Sequence, residues 1–185
     1  MKTKNFLLTG ALLIVALFSV NGVMAQSPAG KTGSTDVHIV LNPMQAITVN
    51  QTDVTLAYTS IDDYKDGVEE LMKGHLTVHS VGPFTVRVKA GSDFEYKGEG
   101  PNDAIPASDV ILTASAADGS TSPAVAFKPI RLGGGSTALI SATSGGMNLE
   151  YDVNYSNESA GKDFKNAAKK GGTYTAQVTY EIFSN

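Results

Sequence analysis

The sequence predicts an all-β fold, an antiparallel two-sheet immunoglobulin-like sandwich with one or two short helical turns. Short runs of β-branched and aromatic residues alternate with polar ones at roughly 10–15-residue intervals, giving around nine or ten strands. Gly, Ser, Asn and Asp cluster between these runs, and no stretch carries a helical period long enough for a second layer. A closed barrel meets the same pattern and is the alternative.

Residues 37–41 (VHIVL) and 46–49 (AITV) are the first extended runs, split at Asn42-Pro43 because Pro43 has no N–H to give a ladder. Residues 53–58 set Val54, Leu56 and Tyr58 against Thr55 and Ala57. Residues 75–80 place Leu76 and Val78 on one face and His75, Thr77 and His79 on a wet face, before Gly82-Pro83 turns the chain. In residues 84–89, Phe84, Val86 and Val88 face the core and Thr85, Arg87 and Lys89 face water. Residues 110–114, 123–127, 137–142, 148–155 and 174–183 continue the series. Helical turns are expected at residues 61–66, with Ser60 as N-cap, and at residues 161–170. The glycines at 133–135 read as a mobile hairpin tip, and they lack the lysine of a phosphate loop.

Composition narrows the function classes. Residues 1–25 read as a signal peptide: Lys2 and Lys4 precede an apolar run over 6–20, and Val23-Met24-Ala25 fits a cleavage site. That run is shorter than the roughly 20 residues of a membrane span, so no span is expected after cleavage. Residues 26–35 (QSPAGKTGST) are a small, polar, flexible leader, leaving 36–185 as the sandwich domain. The implied location is the periplasm, cell surface or extracellular space. The full chain carries a net charge of −4, and removing two signal lysines makes it more acidic, which argues against a nucleic-acid surface. Without cysteine there is no disulfide framework, thiolate metal site or cysteine nucleophile.

Motifs for chemistry are sparse. On a strand, His75 and His79 stand about 13 Å apart, too far to share a metal. Asp62, Asp63, Asp66, Glu69 and Glu70 surround Gly67, but a calcium-loop alignment puts Tyr64 and Lys73 where carboxylates belong. Lys162, Lys165, Lys169 and Lys170 form a basic stretch that reads as a solvated helix face. Asn50, Asn154 and Asn157 head acceptor tripeptides for N-glycosylation at a frequency expected in a Ser/Thr-rich chain. No Ser/His/Asp set or paired carboxylate stands out, so no catalytic residue, cofactor or metal is assigned and the chain is read as non-enzymatic.

The ending, residues 171–183 (GGTYTAQVTYEIF), together with the leader and the early run at 37–41, resembles the G-x-Y-x-A-x-V-x-Y-x-I closing strand of bacterial surface β-sandwiches. Fimbrial subunits, spore-coat-U-like proteins and WxL-type domains share it. This chain departs from those groups in having neither cysteine nor tryptophan. The resemblance implies a structural or adhesive surface protein whose subunits, or another surface protein, join by β-strand addition. Val37, Ile39 and Leu41 are then the candidate strand donor, against the simpler expectation that they form the first strand of their own domain. The alternative function is a monomeric binding module for a glycan, peptide or cell-wall component, with Phe94 and Tyr96 in a candidate ligand loop.

Overall fold

The computed structural model describes residues 30–101, 103–120, 125–157 and 165–185. The expected signal peptide lies outside these residues, as do the start of the leader, Lys162 and the first four residues of the second expected helix. The chain divides into two units, Met1–Val40 and Leu41–Asn185. In the first, residues 30–40 form no helix or strand and their side chains are exposed.

The second unit is an antiparallel β-sandwich. Its strands are β1 (Gln45–Val49), β2 (Glu69–Ser80), β3 (Phe84–Ala90), β4 (Glu95–Tyr96), β5 (Ile111–Ala116), β6 (Val125–Phe127), β7 (Ile130–Arg131), β8 (Thr137–Ala142), β9 (Gly146–Ser156), β10 (Tyr174–Thr175) and β11 (Val178–Ser184). One sheet runs β1-β2-β9-β5-β7, the facing sheet runs β11-β3-β8-β6, and β10 pairs with β4 in a small ribbon. Alternation drives the layering: Phe84, Val86 and Val88 from β3 and Leu149, Tyr151, Val153 and Tyr155 from β9 are all buried. They meet Leu76, Val78, Leu112, Leu139 and Ile140 in one core. Helix α1 (Ile61–Asp66) starts where expected. Ser60 Oγ accepts from Asp63 N–H, and the Asp63 carboxylate accepts from Ser60 N–H, a reciprocal cap. The second expected helix is a 3₁₀ turn over Lys165–Ala168.

Five local expectations are corrected. Residues 37–41 form no strand. Residues 53–58 keep strand-like alternation, with Val54, Leu56 and Tyr58 half-buried between exposed neighbours, but join no ladder. The β1–β2 ladder ends at Asn50, whose N–H reaches the His75 carbonyl at 2.9 Å, because β2 bulges immediately beyond. There, the four steps from Met72 to Leu76 face the two from Val153 to Tyr151, and Gly74 takes φ 56. The same bulge turns His75 inward, to 1% exposure, instead of onto the wet face. The closing segment is two strands: Tyr174 and Thr175 pair with β4, and Val178 onward pairs with β3. Gly133 to Gly135 carry the chain from β7 in one sheet to β8 in the other and are no hairpin tip.

Candidate functional site

The features that bear on function lie at one open side of the sandwich. Among the described residues β1 pairs only with β2, and β11 only with β3, so each leaves one backbone edge without a strand partner there. The two edge strands lie against each other across the sandwich. Their core-facing side chains, Ile47, Val178, Tyr180 and Ile182, pack on the core yet are only partly buried, whereas those of the central strand β3 are fully covered. Chain continuity then takes residues 51–58 off the β2 ladder. Val54 and Leu56 reach the core, while the backbone of residues 51–58 makes no backbone hydrogen bond among the described residues. Tyr58 anchors the far end of this segment. Its hydroxyl accepts from Asn157 Nδ2 and, at 2.9 Å, from Asn166 Nδ2. Burial raises the pKa of that hydroxyl, against the two amide bonds.

A buried polar chain ties this side together. Gln51 Nε2 donates to the Lys73 carbonyl at 3.1 Å, which orients the amide so that Oε1 faces His75 Nδ1 at 2.9 Å. Nδ1 must therefore carry the ring proton, and Nε2 accepts from the Tyr155 hydroxyl at 2.9 Å. The Tyr155 oxygen in turn accepts from Tyr180 at 2.5 Å. The chain thus crosses from β2 and β9 in one sheet to β11 in the other. Desolvation lowers the His75 pKa, pushes Tyr155 up to about 12 and raises Tyr180 further. Both hydroxyls remain donors at neutral pH. Sequence reasoning missed this group because His75 reads as an outward position. The Gly74-His75 pair inside a strand was the available signal for a bulge.

The candidate donor residues are open. Val37 is 80% exposed, Ile39 83% and Leu41 76%. Phe94 and Tyr96 sit differently. Phe94 packs against the core and bridges to Ile105, its N–H reaching that carbonyl at 2.8 Å. The Tyr96 ring lies so close to Gly98 and Gly172 that a Cβ at either would overlap it. Lys170 Nζ stands 5.2 Å from its centroid and the Tyr174 ring 5.3 Å away. Lys169 and Lys170 donate to the carbonyls of Ala104, at 3.1 Å, and Glu99, at 2.6 Å, and so fasten this loop.

In the acidic stretch, Asp63 is committed to capping α1, and the N–H groups of Thr59 and Ser60 lower its pKa. Among the described residues no group of three His, Cys, Asp or Glu side chains is arranged to hold a metal. Asn157, head of one glycosylation tripeptide, is buried and exchanges hydrogen bonds with Val68 through backbone and side chain. No helix among the described residues is long and apolar enough to cross a membrane. The chain matches no known family and no curated protein.

Proposed function

We propose that this is an exported, non-enzymatic structural or adhesive protein of the cell surface that assembles by strand addition. Val37, Ile39 and Leu41 of one copy supply the alternate apolar contacts, and the open side of another copy, bounded by β1, β11 and residues 51–58, receives them. The observation that carries the reading is a segment whose apolar side chains, Val37, Ile39 and Leu41 among them, stand in water, in a chain whose sandwich leaves core residues only partly covered along edges unpaired among the described residues. Such edges invite pairing, and the receiving strand gains backbone hydrogen bonds as well as apolar burial.

Analytical ultracentrifugation of the chain lacking residues 1–25, across a concentration series, tests the assembly. Oligomers that grow with concentration are expected. Replacing Val37, Ile39 and Leu41 together with Asp should return the protein to a monomer of unchanged fold. A parent protein that stays monomeric at all concentrations, or assemblies indifferent to the substitution, would overturn the reading. Cell fractionation of the full chain checks export.

A further inference from the structure

A second surface of the same sandwich carries chemistry that strand addition does not use. Ala46 in β1 stands opposite His79 in β2. Val78 is buried, so alternation turns its neighbour His79 to the outer face of the sheet. Met44 shares the outward parity of Ala46, and its carbonyl accepts from Val81 N–H at 2.9 Å, which extends the ladder by one step. It is therefore a diagonal neighbour of His79, with Cβ atoms about 7 Å apart or less. On the other side of His79, the β2–β9 register shifts between Val78 and Ser80. An Asn148 backbone at φ 53 accommodates that bulge, and Asn148 N–H donates to His79 Nδ1 at 3.3 Å. Met147 thus flanks the imidazole from β9. Met44, Gln45, Ala46, His79 and Met147 together bound a surface cavity of about 270 Å³.

Both methionines are well exposed, Met44 at 68% and Met147 at 59%. Two thioethers and one imidazole around a small, largely apolar cavity form a soft donor set without carboxylate or thiolate. Such a set suits Cu(I) and its analogue Ag(I), and poorly suits Ca²⁺, Mg²⁺ or Zn²⁺. We infer that Met44, His79 and Met147 form a surface site for Cu(I), with the two sulfurs and the His79 Nε2 as ligands. Nε2 has no protein partner among the described residues. For it to ligate, the imidazole keeps one proton by moving it to Nδ1, which gives up the long, exposed bond from Asn148.

The test is an anaerobic titration of the folded chain with ascorbate-reduced copper against a chromogenic Cu(I) chelator, together with methyl NMR of labelled methionines during Ag(I) addition. One equivalent is expected to bind. The Met44 and Met147 methyl signals should shift, while that of Met72, packed against the core, should not. Met44→Leu/Met147→Leu keeps size and apolarity at exposed positions and should weaken binding at least about tenfold, since even outer partners of metal ligands are worth about 10–100-fold. His79→Gln should weaken it similarly. Absence of stoichiometric binding, retention of full affinity in the double variant, or equal affinity for Zn²⁺ at these residues would each overturn the assignment.

Discussion

The buried chain Gln51–His75–Tyr155–Tyr180 makes a quantitative prediction, because its hydrogen-bond order is fixed from one end. Gln51 Nε2 is committed to the Lys73 carbonyl, so every later proton has one place to go. Replacing Tyr180 with Phe removes the terminal donor and leaves the Tyr155 bond to His75 intact. The expected loss is about 1 kcal/mol, an ordinary net hydrogen bond. Replacing Tyr155 with Phe removes the middle of the chain. It strands the buried lone pair of His75 Nε2 and the partly buried hydroxyl proton of Tyr180, at about 1–3 kcal/mol each, so a loss of about 2–6 kcal/mol is expected. In the double variant only His75 remains unpaired, and the combined loss should fall short of the sum by about 1 kcal/mol or more. Urea unfolding at neutral pH measures all four proteins, and constant m-values would confirm that only stability has changed. If Tyr180→Phe costs as much as Tyr155→Phe, or if the two losses simply add, the deduced proton order is wrong.

The same site sets the pH response. Burial lowers the folded pKa of His75, so the unfolded chain takes up its proton first. Stability should be full above the unfolded value of about 6.5 and fall as pH drops below it, by at most about 1.4 kcal/mol per unit for one proton. His75→Gln should flatten that part of the pH–stability curve. At the alkaline end the raised pKa values of Tyr155 and Tyr180 act in the other direction. The unfolded chain ionises first, and stability should decline above about pH 10, with tyrosinate absorbance rising together with unfolding. A Cβ at Gly145 would overlap the Ser80 carbonyl oxygen and the Gly82 nitrogen, whereas Gly134 has open space around it. Gly145→Ala should therefore cost about 1–3 kcal/mol. Gly134→Ala should be neutral or stabilising by up to about 1 kcal/mol, both read by thermal melts.

How much was legible depends on whether a feature is local. The alternation of Phe84, Val86 and Val88, or of Leu149, Tyr151, Val153 and Tyr155, needs only the two-residue period of a strand, and all seven are buried. Ser60 and the start of α1 were readable because a cap is satisfied within four residues. His75 and residues 53–58 were misread for a shared reason. Periodicity assumes an unbroken ladder, and the bulge near Gly74 breaks it, turning the histidine inward and releasing the segment after Asn50. The closing segment was read as one strand because its alternation runs on through Ala176 and Gln177. Two different partners, β4 and β3, divide it.

The fold class, the core faces of β3 and β9 and the cap of α1 were all readable from the chain alone, since each follows from spacing along it. Which backbone edges stay unpaired, that Val37, Ile39 and Leu41 stand in water, that Tyr155 and Tyr180 close a chain on His75, and that Met44 and Met147 flank His79 were decided only in three dimensions. Tyr155 and Tyr180 are far from His75 in sequence, and Met44 and Met147 far from His79; they meet through strand register, and register here turns on two bulges in β2 pairing whose positions no local pattern specifies.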